Sequence, residues 1–162
     1  MSSERIVPDD FHAPESYEAS VFRLELLDPR HNEPDHAAWM SSIAHIRATP
    51  GFVDRRWPPE SGMTLEQNLS DLVSHADRSA RGVDFAYSVL DRSSPGRVIG
   101  CVYFNPAPAP GEVEAVSWVT ADSADLDRPL TEVVTNWLAD AWPFPVVHYR
   151  LGRRHITLGA TY

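Results

Sequence analysis

The stretch from Val83 to Arg150 constrains the topology of this chain more than any other. It reads as three strands in succession, an acidic loop, one helix and a last strand. Phe85 to Leu90 (FAYSVL) is the first strand, closed by the polar turn Asp91 to Gly96. Val98 to Phe104 (VIGCVYF) is the second, almost wholly apolar and so expected to be buried on both faces. Glu112 to Thr120 (EVEAVSWVT) is the third. After the loop Ala121 to Asp127, the residues Leu130, Val134, Trp137, Leu138 and Ala141 recur at helical spacing until Pro143 stops them. Val146 to Tyr149 opens the last strand. A strand, a helix and a strand in that order imply a right-handed crossover, which leaves Glu112–Thr120 parallel to Val146–Tyr149.

Upstream, residues 1–20 mix prolines, acids and serines without periodicity and are expected to form a flexible or loosely docked arm, with Phe11 and Tyr17 as its anchors. Residues 21–162 read as a single domain. Val21 to Leu27 alternates apolar Phe22, Leu24 and Leu26 with charged Arg23 and Glu25, as a half-solvated strand does. A helix is expected from about Asp35, with Trp39, Ile43 and Ile46 as its apolar stripe and Thr49-Pro50-Gly51 as its end. The proline-stiffened loop Phe52 to Gly62 carries Arg55, Arg56 and Trp57. Thr64 and Gln67 have the spacing of a capping box. They open a second helix whose apolar face is Leu65, Leu69, Leu72, Val73 and Ala76, and Gly82 ends it. Only Leu151 to Tyr162 follow the last strand, with Ile156-Thr157-Leu158 as a short strand.

Charge and composition remove several classes of function. The net charge is −9, which argues against phosphate-backbone binding and so against a nucleic-acid partner. The chain contains no lysine, which excludes a Schiff-base enzyme and a lysine-bearing phosphate loop. No apolar run is long enough to span a bilayer and no signal peptide is recognisable, so no membrane partner and a cytoplasmic location are expected. The one cysteine, Cys101, lies within an apolar strand and reads as a small buried hydrophobe. His31, His36 and His45 with Asp28 and Asp35 lack the i, i+4 pairing of a helical metal site, so capping, core or solvated roles are expected and no metal.

The blocks FAYSVLD, RVIGCVYFNP, EVEAVSWVT, DLDRPLTEVVTNWL and FPVVHYR, in this order, resemble the GCN5-related N-acetyltransferases, the GNAT superfamily, as a divergent and C-terminally shortened member. The Gln/Arg-x-x-Gly-x-Gly/Ala loop of that family has no counterpart here. The resemblance implies an α/β (α+β) GNAT-like three-layer fold. A mixed central sheet would carry helices on both faces, with a parallel strand pair splayed at a cofactor slot. It implies acetyl-CoA or another acyl-CoA as cosubstrate, pantetheine held on the backbone of Trp118, Val119 and Thr120, and pyrophosphate at the N-terminus of the next helix. Arg128 is the cation of that loop, Asp127 its expected N-cap and Pro129 part of its first turn. Glu114, preferred over Glu112, is the expected catalytic base; the alternative is that both glutamates face solvent. The implied activity is N-acylation of a small amine by direct attack on the thioester. The glycine-free acidic loop and the short end motivate an alternative: an acyltransferase-like binding or assembly module without chemistry. A homodimer is expected on that reading, with the tail completing a partner's sheet or its own.

Overall fold

The computed structural model describes residues 5–151 and 154–159. Seven strands form one sheet in sequence order: β1 (Ser16–Glu18), β2 (Phe22–Leu26), β3 (Phe85–Asp91), β4 (Val98–Pro106), β5 (Glu112–Val119), β6 (Val146–Leu151) and β7 (Arg154–Gly159). Every neighbouring pair is antiparallel except β5 and β6, which run parallel with α4 (Asp127–Ala141) as the crossover between them. The other helices, α1 (Asn32–Met40), α2 (Ile43–Arg47) and α3 (Leu65–Ala80), lie between β2 and β3.

Period-two alternation along the strands divides the apolar residues between two faces. On one face Phe22, Leu24, Tyr87, Phe104, Val113, Ala115 and Tyr149 meet Leu130, Val134, Trp137 and Leu138 of α4. On the other, Ala86, Cys101, Val116 and Trp118 meet Trp39 of α1, Ile46 of α2 and Leu72 of α3. These are the three layers expected of a mixed sheet with both faces covered. Cys101 is buried among apolar neighbours, as its strand context implied.

The glycine of the R-V-I-G entry into β4 has a steric reason. A Cβ at Gly100 would stand 2.3 Å from the Trp118 carbonyl oxygen, so only glycine lets β4 and β5 approach at this point.

Residues 5–18 are seated on the body. Tyr17 stacks on Trp137 at 4.9 Å and Phe11 meets Trp142 at 5.3 Å, so both expected anchors engage. Val7 is buried in the α4-side core, the Ile6 amide donates to the Gly82 carbonyl, and the Tyr87 hydroxyl donates to the Pro14 carbonyl. Strand β1 therefore takes the sheet edge, beside β2.

The helix expected from Asp35 to Thr49 is two helices. It breaks at Ser41-Ser42, where the Ser41 hydroxyl bonds the Ala38 carbonyl and competes with the backbone ladder. Helix α3 starts where predicted, with Thr64 and Gln67 reciprocally bonded. It ends in a Schellman motif: the Gly82 amide donates to Ser79 and the Val83 amide to Arg78, with Gly82 at φ +71°. Its orientation departs from the expected one. Leu72 is buried, but Leu65, Leu69 and Val73 are exposed, and the face turned to the protein carries Asn68, Asp71, Leu72, His75 and Arg78.

Candidate active site

The parallel strands share register only over four residues, from Glu112 opposite Val146 to Ala115 opposite Tyr149. Beyond that pair, β5 runs on to Val119 beside β4 while β6 continues to Leu151 beside β7. Among the described residues the two strands are unpaired from there on, which is the splay expected of this fold.

The backbone exposed at this fork follows from the antiparallel ladder. The Thr120 amide donates to Ile99 at 2.9 Å and the Ala107 amide to Glu112 at 2.9 Å. Counting by twos between those pairs, Glu114, Val116 and Trp118 also turn their backbone groups to β4. The groups of Ser117 and Val119 then face the fork. Of the expected pantetheine-holding residues, Val119 presents its backbone to the slot, while Trp118 and Thr120 spend theirs on β4. Ser117 is the fork residue that the sequence reading missed, and the parity of the strand was the signal for it. Its hydroxyl bonds the Tyr149 hydroxyl at 2.7 Å across the base of the fork, where burial raises the tyrosine pKa.

The loop after β5 differs from expectation in three respects. Thr120 leads into a 3-10 turn, Ala121–Leu126, and α4 follows at Asp127 with Leu126 at its N-cap position. Asp127 therefore caps nothing; it is half-buried inside the first turn, and burial raises its pKa. The Ala121 amide, first in the loop, is taken by the Ser42 hydroxyl at 2.8 Å, reaching across from the α1–α2 break. Asp122 is tied to the Thr120 hydroxyl and to Arg97, each at 2.6 Å, and these bonds hold its pKa below the usual carboxylate range. Arg128, expected to offset the loop's acids, is an exposed side chain paired with Glu132 at 3.4 Å.

Glu114 lies on β5 one residue before the last paired position and 14% of its side chain is exposed. One oxygen takes the Arg55 guanidinium at 2.6 Å and the other takes Arg150 at 3.3 Å. The solvated alternative for this residue is thereby corrected: it is the ion-paired link between the loop, β5 and β6. Glu112, on the same face, is hydrogen-bonded to His148. Gly51 brings the loop onto β5 so closely that a Cβ there would stand 2.6 Å from the Val116 side chain. The loop thus roofs β5 where the strands part.

Beside the fork is a cavity of about 460 Å³ between α1, α3 and strands β4 and β5. Arg55 and Trp57 of the proline-stiffened loop line it; Arg56 is not among its lining residues. Trp57 and Tyr103 form one wall, with ring centroids 6.4 Å apart, and the Trp118 indole donates to the Tyr103 hydroxyl at 3.1 Å. Asp35 of α1 lines the cavity while only 5% exposed. Burial raises its pKa to about 6, and Asp71 adds to the rise against the hydrogen bond from Asn68 and the influence of His36. Asn68 donates to Asp35 at 3.0 Å and to Asn32 at 2.9 Å, and accepts from the Trp39 indole at 3.0 Å. Burial, and after it Arg78, lowers the pKa of His75.

Two of the histidines weighed as metal ligands have structural roles. His31 completes a capping box with Asp28 and bonds Glu25 at 3.3 Å. His36 bonds the Met63 carbonyl at 2.7 Å.

A seven-stranded mixed sheet with a forked parallel pair and helices on both faces is the fold of the GCN5-related N-acetyltransferases. Solved structures with this architecture include a ribosomal-protein-S5-alanine acetyltransferase from Vibrio fischeri (TM-score 0.65, 14% identity, 83% of this chain and 72% of that one). RimL, a ribosomal L7/L12 α-N-protein acetyltransferase in complex with coenzyme A, superposes at TM-score 0.63 with 13% identity over 81% of this chain and 71% of the other. The microcin C7 self-immunity acetyltransferase MccE, in complex with acetyl-CoA and AMP, gives 0.62 with 10% identity over 85% and 73%. The sequence matches no family model and no curated protein. Among the described residues no helix is long and apolar enough to cross a membrane.

Proposed function

We propose that this chain is an acyl-CoA-dependent N-acyltransferase, with acetyl-CoA as its cosubstrate and a small amine as its acceptor. The observation that carries the reading is the fork: parallel strands that part after Ala115 and Tyr149 and leave the Ser117 and Val119 backbone facing the gap. Exposed amide and carbonyl groups along one strand edge suit the amides of a pantetheine arm, which pairs as an added strand does. The loop after β5 would receive the pyrophosphate end. Its Asp122 already has a cation in Arg97, which reduces the charge opposing a phosphate. Two solved neighbours hold coenzyme A or acetyl-CoA, and this supports the same cosubstrate here.

In this reading Glu114 stands between the slot and the cavity and takes the proton of the acceptor ammonium, directly or through water. The free amine then attacks the thioester carbonyl; the C–N bond forms, the C–S bond breaks, and coenzyme A leaves as its thiol. Glu114 hands the first proton to solvent, and the proton that the nitrogen loses as the amide forms goes to the departing thiolate, which gives the thiol. To receive a proton, Glu114 gives up one of its two guanidinium contacts, so Arg55 or Arg150 moves when an acceptor binds.

Titration calorimetry with acetyl-CoA tests the cosubstrate: saturable heat supports it, and none at millimolar ligand removes it. A Glu114→Gln variant should lose about two orders of magnitude in turnover while keeping acetyl-CoA binding, the scale of a lost general base. Undiminished turnover would remove the base. One observation favours the competing reading, a binding module without chemistry: the Ser42 hydroxyl already occupies the first amide of the loop. The same calorimetry separates the two. For assembly and location, a homodimer and a cytoplasmic protein remain part of the proposal. Strand β7 pairs with β6 of its own chain, so a dimer would use another surface, read by light scattering.

A further inference from the structure

Four carboxylates line the cavity beside the fork, in three places, and their partners differ. Near the fork, Glu114 has Arg55 and Arg150. At the rim, Asp84 has Arg78 at 2.9 Å. On the helix side, Asp35 and Asp71 line the same cavity, and neither forms an ion pair among the described residues. Asn68 bonds one oxygen of Asp35; among the described residues no other hydrogen bond reaches that buried carboxylate, and His36 acts on it electrostatically. Two neighbouring carboxylates repel, and a buried one costs most where no cation compensates it. The walls between the fork and the helix side are aromatic, and an indole and a phenol ring favour an organic cation passing over their faces.

We propose that the helix side of this cavity, at Asp35 and Asp71, is an anchoring subsite for a protonated nitrogen, and that the acceptor therefore carries two basic nitrogens joined by an apolar spacer. One ammonium sits between Asp35 and Asp71. The spacer lies along Trp57 and Tyr103, and the second nitrogen reaches the fork beside Glu114 and Val116. The anchoring subsite stands on the cavity alone; the role of the second nitrogen rests on the acyltransferase reading above. A monoamine satisfies only the fork or the helix side, which makes Asp35 and Asp71 specificity determinants among amines.

The test compares 1,5-diaminopentane with n-hexylamine, equal in heavy-atom length and differing by one charge. Binding is measured by calorimetry without any cosubstrate, and thiol release is measured separately with acetyl-CoA present. The expected result is a preference for the diamine of at least about tenfold, a size in keeping with a desolvated charge pair, and its loss in Asp35→Asn. Asp71→Asn, at a half-buried position, repeats the measurement should the first variant fail to fold. Equal affinity for the two amines, or a preference unchanged in both variants, overturns the inference. Faster acetylation of a peptide N-terminus than of the diamine also overturns it, yet leaves the transferase reading intact. Diamine binding that depends on Asp35, with no acetyl-CoA heat and no thiol release, keeps the anchoring subsite and overturns the transferase reading.

Discussion

Asp35 is the residue at which stability and function pull apart. Burial raises its carboxyl to about 6, with Asp71 adding to the rise, so the folded chain holds this proton more tightly than the unfolded chain does. Between the ordinary carboxylate range and about pH 6 the native state binds more protons, and stability falls as pH rises through that window. Across the whole window the loss amounts to roughly 3 kcal/mol. Asp35→Asn keeps an oxygen for the Asn68 amide and has no charge to bury. The variant should therefore be more stable than the parent by about 1–3 kcal/mol at pH 8 and equal to it near pH 3.5. Urea unfolding at the two pH values checks this, and an equal difference at both would refute it. Glu25 has the opposite sign. Burial raises its pKa, but hydrogen bonds from Arg30, Arg23 and His31 outweigh that and hold it at about 2. Its contribution is complete above the ordinary carboxylate range and is lost as pH falls toward 2.

At the scale of elements, α3 shows how a helix can be read correctly and oriented wrongly. Its boundaries follow from local chemistry: Thr64 and Gln67 at one end, Gly82 at the other. Its apolar residues suggested the buried face, yet Leu65, Leu69 and Val73 stand exposed while Asn68, Asp71 and His75 turn inward. At about 100° per residue these polar residues form a stripe as regular as the apolar one, with Leu72 on the border between them. A polar stripe faces inward only where it has a cavity or partners to satisfy it, and neither is local information. Leu72→Ala should cost about 2–5 kcal/mol, whereas Val73→Ala should stay within about 0.5 kcal/mol, both read from denaturant midpoints. The break between α1 and α2 has a comparable origin. Ser41 bonds back to Ala38, and Ser42 is held by the Ala121 amide at the far end of β5. Two adjacent serines signal a weak helix; only the tertiary contact gives the second one its partner.

At the scale of the whole molecule, the N-terminal segment completes the core. Val7 is buried on the α4 side, and the Pro14 carbonyl accepts from Tyr87, whose hydroxyl is otherwise enclosed. A chain beginning at residue 19 loses the Val7 burial and leaves that hydroxyl without its partner. Destabilisation of about 3 kcal/mol or more is expected, measured by thermal or urea unfolding. A change within about 0.5 kcal/mol would mean that the segment only rests on the surface.

The sequence by itself determined the order of elements, the strand–helix–strand crossover and hence the parallel pair, because these follow from periodicity and capping residues, all of them short-range. It also placed Gly100 within a strand, and the family resemblance marked Glu114, although the steric need of the one and the ion pairs of the other come from distant segments. Tertiary structure alone decided where β5 and β6 part, that Ser42 takes the Ala121 amide, and that Asp35 and Asp71 share a cavity. Each of these depends on groups tens of residues apart in the chain, brought together by burial of the two apolar faces, and no local pattern encodes their distance.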